Sequence, residues 1–142
     1  MATLSESDSR TFVEERGIVV SAWGTARGPE EAAELATLIG LPVALKLSSE
    51  NIVHKSERRF VRLNLTSVAE ITQAGIDLLA AVEPQDGQVE ILVTSMIEGN
   101  REFIAGLFFD DHFGPCVMLG IGGVLAEAFG DVAFRLAPLT KN

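Results

Sequence analysis

The side chains most able to do chemistry stand in the stretch "NIVHKSERRF", residues 51–60. Within six consecutive positions it carries one nucleophile and several hydrogen-bond donors, namely His54, Lys55, Ser56, Arg58 and Arg59. A neutral imidazole is nucleophilic near neutral pH, and ammonium or guanidinium groups stabilise phosphoryl oxygens. From these residues alone two interpretations stay open: a loop that handles phosphoryl groups, or a charged and solvated turn.

A lone cation shortly before this stretch strengthens the first interpretation. Lys46 stands among aliphatic residues in "VALKL". An amine in that position must either reach water from an edge strand or find an anion. Backbone N–H groups of a loop that follows the strand could bind the same anion. Lys46 is therefore a candidate contact for a phosphate group.

The sequence lacks the residue patterns of a zinc site, a serine hydrolase or an intrachain disulfide. The only second histidine is His112, and no Cys/His spacing is typical of zinc, so we predict no metal site. Ser56 follows His54 too closely to be its nucleophile, and no GxSxG motif indicates a hydrolase. The single Cys116 excludes an intrachain disulfide, and its apolar surroundings predict a buried thiol.

The helices and strands that position these residues can be predicted from residues that commonly begin or end such elements. Pro29 suits a first helical position, and Gly40 followed by Pro42 suits a helix end, which together predict a helix between them. "VALKL" and "FVRLNL" both alternate apolar and polar residues, with Val61, Leu63 and Leu65 predicted on one face of the second. The basic stretch should thus be the loop of a strand-loop-strand unit.

The rest of the chain predicts one more long helix and several strands. Ser67 and Glu70 have capping-box spacing, and the apolar face that follows ends at Pro84. The turn "EPQDGQ" should precede an antiparallel meander whose first hairpin turns at "EGNR". Its expected strands are "VEILVTSMI", "EFIAGLFF" and "CVMLGI", followed by a short helix after "GIGG" and a last strand, "VAFRLA". This order predicts an α+β fold.

Composition limits the partners. The 142 residues suffice for one domain, and 20 Asp plus Glu against 11 Lys plus Arg give a net charge of −9. Such a surface repels nucleic acid and anionic membranes. We find no signal peptide and no run of about eighteen apolar residues, so we expect a cytoplasmic protein.

Three quoted stretches together resemble a known family. They are "GLPVALKLSSENIVHKS", "VRLNL" and "ILVTSMIEGNREFIAGLFFDDHFGPCVMLGIGGVLAEAFGDVAFRLAPL". From about Arg10 onward the chain resembles the ATP-grasp subunit or domain of ADP-forming acyl-CoA synthetases, relatives of succinyl-CoA synthetase β chains. The resemblance implies the N-terminal portion of an ATP-grasp fold, a mostly antiparallel sheet with interleaved helices, as a single domain over residues 1–142.

The resemblance also implies roles for individual residues. His54 matches a phosphohistidine that relays a phosphoryl group between two sites, and Lys46 matches a lysine on the phosphates of ATP or ADP. Glu102 matches an acid near the ribose. The strand "LVTSMI" would supply backbone groups to the adenine through Ser95, Met96 and Ile97. From their charges and hydrogen-bond donors, Lys55, Ser56, Arg58 and Arg59 are candidate phosphate contacts. A CoA-binding α subunit or domain is the implied partner.

Two departures from the family pattern shape the expectations. The family loop reads HKSDVGGV, whereas Arg58, Arg59 and Phe60 stand here in place of Val, Gly and Gly. These arginines could contact phosphate or block the site, which leaves a degenerate binding or regulatory domain as the alternative. The family also continues past "RLAPL" into a DxNP segment that holds Mg²⁺. We therefore expect an incomplete domain, with Mg²⁺ ligands outside this chain and with self-association through unpaired strand edges.

Overall fold

The computed structural model describes residues 4–52, 58–99, 102–122 and 132–140. The chain divides into two compact units, Met1–Ile97 and Glu98–Asn142, each of which is described by itself. The first unit contains α1 (Glu6–Glu14), β1 (Trp23–Ala26), α2 (Pro29–Ile39), β2 (Val43–Ser48), β3 (Val61–Leu65), α3 (Val68–Ala80), a 3-10 turn (Pro84–Asp86) and β4 (Glu90–Ser95). The second contains β5 (Phe103–Asp110), β6 (Gly114–Ile121) and β7 (Val132–Leu136). The predicted α+β class, with a mostly antiparallel sheet, is confirmed.

The first unit is built on a four-stranded antiparallel sheet in the order β1-β4-β2-β3. Helices α2 and α3 supply buried side chains that cluster with alternate residues of the two central strands: Ala32, Ala36, Ile71, Leu78, Val43, Leu45, Leu47, Ile91 and Val93. Val43, Leu45 and Leu47 of "VALKL" lie together in this cluster, in keeping with the alternation of that segment. Removing these side chains from water is the main stabilising contribution to this unit.

The two helices predicted in the first unit start at the residues that were expected to begin them. Pro29 occupies the first turn of α2, and Gly40 closes it with φ of 98°, a value that favours glycine. At the start of α3 the Ser67 hydroxyl accepts a hydrogen bond from the Glu70 amide at 3.3 Å. The Glu70 carboxylate accepts from the Thr66 amide, which with its other hydrogen bonds lowers the pKa of Glu70.

Strand β3 departs from the predicted alternation. Between the pairs Leu45–Arg62 and Val43–Leu65 the register shifts, so that β3 has one residue more than β2. Asn64 has φ of 56°, a left-handed conformation that Asn tolerates well. The bulge breaks the period of two, and Leu63 is 57% exposed instead of facing inward with Val61 and Leu65.

The second unit is a three-stranded antiparallel meander in the order β5-β6-β7. The predicted hairpin between "VEILVTSMI" and "EFIAGLFF" is wrong, because β4 pairs with β1 on one side and with β2 on the other. Cys116 in β6 is buried, as predicted. The helix predicted after "GIGG" falls on residues 123–131, outside the described residues.

Two elements of the first unit, α1 and β1, were not predicted. Ser5 caps α1 by accepting a hydrogen bond from the Asp8 amide at 3.1 Å, but no residue of the helix is buried. Within the described ranges, no helix has the length and apolar character needed to cross a lipid bilayer.

Candidate functional site

Lys46 lies near the end of β2 that leads into the basic stretch. This strand is flanked by β4 and β3, so the edge-strand placement considered from the sequence is wrong. The Lys46 Nζ donates to the Glu6 Oε1 at 2.8 Å, and the two side chains are 25% and 28% exposed. Of the two interpretations of this lysine, the structure therefore supports the anionic partner, which here is a carboxylate of α1.

Helix α1 brings Glu6 to Lys46 through contacts of its first turn. The Ser7 hydroxyl lies 3.1 Å from the Ser48 hydroxyl, and the Ser7 amide donates to the same oxygen at 3.4 Å. Arg10 Nη2 is 3.6 Å from Glu6 Oε1, so the same carboxylate oxygen lies close to two cations. The Lys46 amine is thus paired with a carboxylate of α1.

A polar cleft of about 320 Å³ lies beside this contact. Among the described residues, its lining includes the carboxylates of Asp8, Glu50 and Glu90 and no Lys or Arg. Like charges repel, so this cleft is unsuited to a phosphate group.

Both described ends of the 49–60 loop contact the 3-10 turn. At the first end, the Ser49 hydroxyl donates to the Asp86 carbonyl at 2.6 Å, and Asn51 Nδ2 donates to the Gln85 carbonyl at 3.3 Å. At the other end, Arg58 donates to both carboxylate oxygens of Asp86, with Nη2 to Oδ2 at 3.1 Å. The turn thus joins the two segments that flank residues 53–57.

The Arg58 guanidinium is held on three sides. Besides Asp86, Nη2 donates to Glu83 Oε2 at 2.9 Å, and Cζ lies 4.4 Å from the centroid of the Phe60 ring. Asp86 and Phe60 are each 1% exposed. The hydrogen bond from Arg58 is the main cause that lowers the pKa of Asp86, and the same bond raises the pKa of Arg58. Both groups are therefore charged near neutral pH.

Arg59 differs from its neighbour in conformation and exposure. It has φ of 58°, and its side chain is exposed. Its carbonyl accepts a hydrogen bond from Arg62 Nη1 at 2.6 Å. A left-handed backbone favours glycine, so Arg59 adopts a conformation that the glycine of the resembled loop would take easily.

The remaining predicted residues are placed in different parts of the chain. His54, Lys55 and Ser56 lie outside the described residues. Ser95 ends β4, where its amide donates to the Ala22 carbonyl at 2.9 Å, and the next amide, of Met96, donates to Pro42 at 3.2 Å. Ile97 is exposed. Glu102 belongs to the second unit, where its carbonyl accepts from the Gly122 amide at 2.8 Å.

The described residues also bear on metal binding. In residues 4–52, 58–99, 102–122 and 132–140, no three His, Cys, Asp or Glu side chains are grouped so that they could hold a metal ion. We therefore assign no Mg²⁺ ligand among them.

The candidate residues predicted from the sequence did not include Glu6 and Asp86. Asp86 stands in "EPQDGQ", which has the composition of an ordinary turn. A capping signal around Ser5 could have placed Glu6 in a helix, but nothing local indicates its contact with Lys46, 40 residues away.

Comparison with known proteins assigns the whole chain to a family. A family model described as an ATP-grasp domain matches residues 1–142. The chain is 40% identical over 133 residues to an acetate–CoA ligase [ADP-forming] I of Archaeoglobus fulgidus, covering 92% of this chain and 19% of that protein. It is 34% identical over 142 residues to the β subunit of acetate–CoA ligase [ADP-forming] I of Pyrococcus furiosus, covering 98% of this chain and 61% of the subunit.

Solved structures agree with these relatives. Acetyl-coenzyme A synthetase 1 of Ca. Korarchaeum cryptofilum, in complex with coenzyme A and Ca-AMPCP, superposes with a TM-score of 0.84 at 39% identity, covering 96% of this chain and 61% of that one. A second structure of that enzyme, with coenzyme A and Mg-AMPPCP, has its phosphohistidine segment pointing towards the nucleotide binding site; its TM-score is 0.72 at 37% identity, covering 95% and 57%. The chain thus spans from about a fifth to three fifths of the proteins it matches.

Proposed function

The chain belongs to the ATP-grasp domain family, and from this premise we propose that it is the nucleotide-binding part of an ADP-forming acyl-CoA synthetase. In this role it passes a phosphoryl group between a histidine and ADP during the interconversion of an acyl-CoA and its acid. The observation that carries the proposal is 34% identity to an acetate–CoA ligase β subunit over 98% of this chain.

His54 is the proposed phosphoryl carrier. Its neutral imidazole attacks the phosphorus of a phosphohistidine on the CoA-binding partner, whose imidazole leaves with the electron pair of the broken P–N bond, and the phosphohistidine formed at His54 then gives the group to ADP. In the second step the P–N bond breaks while a terminal phosphate oxygen of ADP forms the new P–O bond, and the imidazole nitrogen leaves with the bonding electron pair. Lys55, Ser56 and Arg59 are proposed to stabilise the phosphoryl oxygens, with Ser95, Met96 and Ile97 at the adenine and Glu102 at the ribose.

Lys46 is the proposed contact to the nucleotide phosphates. Its amine lies 2.8 Å from a carboxylate oxygen of Glu6, which shows that the position can hold an anionic oxygen at hydrogen-bonding distance. Bound nucleotide would take the place of that carboxylate. The Lys46 side chain, 25% exposed, has access to solvent from which a ligand can arrive.

We also propose a partner and a metal ion that act together with this chain. A CoA-binding α subunit or domain would hold the acyl group, and Mg²⁺ would accompany ATP or ADP and neutralise phosphate charge. Among the described residues, no three His, Cys, Asp or Glu side chains are grouped to hold that metal. We also propose that residues 1–142 belong to one ATP-grasp domain, and that the protein is cytoplasmic.

The structure weakens one argument for the degenerate alternative. Arg58 stands where the family has Val, and a free guanidinium there could have blocked a phosphate site. Its donors instead bond to Asp86 and Glu83. The substitution therefore has a local structural partner, which favours the catalytic interpretation of the loop.

The test uses the complete gene product with its CoA-binding partner, phosphate, ADP and an acyl-CoA. Wild type should form ATP and carry an acid-labile phosphate. His54→Asn should lose both, with ATP formation lower by orders of magnitude and ADP binding retained. The matched control is His112→Asn in the β5–β6 turn, where the imidazole is 88% exposed and activity should not change. Full activity of His54→Asn would refute the proposed role.

A further inference from the structure

The 3-10 turn Pro84–Asp86 connects two segments that are far apart in the chain. Ser49 and Asn51 bond to its carbonyls, and Arg58 bonds to its carboxylate, so one short turn holds the chain just before and just after residues 53–57. Leu47 adds a direct link, because its amide donates to the Phe60 carbonyl at 3.1 Å. The proposed phosphoryl carrier His54 lies between these two fixed segments.

We infer that Asp86 is a positioning residue for phosphoryl transfer: through Arg58 and Ser49 it fixes both ends of the loop that carries His54. The inference rests on the proposed function, since it assigns Asp86 a role in that reaction. Anchoring the segments on both sides of a reactive loop lowers the number of conformations that the chain must search before it reacts.

The structure indicates why this carboxylate does more than close its own turn. One oxygen, Oδ2, accepts from the Glu83 amide at 2.8 Å, and that bond closes the turn without any help from the loop. The same oxygen and its partner Oδ1 also accept from Arg58, 28 residues away in sequence. A carboxylate that is 1% exposed is costly to bury unless its charge is paired. Its cation comes from the loop, so the pairing ties the turn to the loop.

Arg58 has the geometry of a fixed anchor. The guanidinium makes a two-pronged contact with Asp86 and stacks over Phe60, which is itself buried in the core cluster. Lysine could make neither the paired hydrogen bonds nor the stacking. The inference therefore assigns Arg58 to holding the loop and leaves phosphate contact to other cations.

The decisive variant is Asp86→Asn, which keeps the size of the side chain and removes its charge. The measurements are the rate of phosphohistidine formation and the ADP dissociation constant, both on the complete gene product with its partner. We expect the rate to fall about tenfold or more and the dissociation constant to stay within about twofold. The matched control, Asp77→Asn, makes the same change on the exposed side of α3 and should alter neither.

A second variant separates positioning from folding. Arg58→Gln alters the partly exposed partner of the pair and leaves the carboxylate in place. If the two residues act as one unit, the double variant should be no slower than the slower single variant. Arg58→Lys should recover only part of the rate, because its amine cannot replace the two-pronged contact. Rates are referred to the folded fraction measured by circular dichroism, so a purely structural role would leave them unchanged.

The outcomes distinguish the inference from the proposed function. If wild type forms no phosphohistidine, the proposed function fails and the inference fails with it. If wild type is phosphorylated and Asp86→Asn keeps the wild-type rate, only the inference is overturned. A weakened ADP affinity in Arg58→Gln, with an unchanged rate of phosphohistidine formation, would also overturn it, since Arg58 would then contact nucleotide.

Discussion

Because Lys46 bonds to Glu6, we expect nucleotide binding at this lysine to be a competition between two anions. If phosphate binds Lys46, it must displace the Glu6 carboxylate, which lies 2.8 Å from the amine. Because both side chains are about a quarter exposed, the ion pair contributes up to about 1 kcal/mol. Glu6→Gln removes the competing charge and should strengthen ADP binding by up to about fivefold. Lys46→Met removes the phosphate contact itself, worth about 1.5–3 kcal/mol, and should weaken binding about ten- to hundredfold.

Calorimetric titration of the complete gene product with ADP measures these effects. The critical comparison is Glu6→Gln in the Lys46→Met background, where the substitution should have no effect because its target is gone. Glu15→Gln is the control, since it removes a more exposed negative charge near the other end of the same helix. An unchanged or weaker affinity in Glu6→Gln would refute the competition. Unchanged affinity in Lys46→Met would show that the lysine serves only the ion pair.

Three further predictions concern the loop, the turn and the second unit. Arg59→Gly removes the cation but allows the left-handed backbone at φ of 58°. We expect slower ATP formation, because the side chain is proposed to contact phosphoryl oxygens. Faster ATP formation would favour a degenerate site. The pKa of Asp86 is lowered by folding, so its charge stabilises the protein above the ordinary carboxyl pKa, and this contribution is lost as pH falls through the folded value. Urea unfolding should therefore show the deficit of Asp86→Asn at pH 7 shrinking below about pH 4; a constant deficit would contradict this. Residues 1–142 alone should self-associate, because Phe103, Leu107 and Phe109 of β5 are exposed, and sedimentation that is independent of concentration would disprove it.

Local signals in the sequence were sufficient for the helices and most strands. Pro29 and Gly40 limit α2 through backbone preferences that need no other part of the chain, and Ser67 does the same for α3. Helix α1 escaped prediction because it buries no residue and has only two apolar side chains, Phe12 and Val13. The partner of β4 also could not be predicted, since "EGNR" suits a hairpin and only the long-range pairs with β1 and β2 exclude it.

Residues of the candidate site also differ in how well the sequence predicted them. The basic stretch and Lys46 could be recognised by residue type, whereas their carboxylate partners could not. Glu6 lies 40 residues from Lys46, and Asp86 lies 28 residues from Arg58. Such pairs depend on how the sheet brings distant segments together. The sequence therefore predicted the cations of the site but not which of them are already paired.

The two ion pairs differ in how easily they can exchange. Lys46 bears a compact charge on a flexible stem, and one carboxylate oxygen of Glu6 accepts from it at 2.8 Å. Arg58 makes paired hydrogen bonds to a carboxylate that is 1% exposed and stacks on a buried ring. Breaking the second pair would leave Asp86 charged and desolvated, whereas breaking the first leaves Glu6 partly exposed and still close to Arg10. An incoming phosphate should therefore displace Glu6 from Lys46 while Arg58 stays on Asp86, which leaves the loop anchored during nucleotide binding.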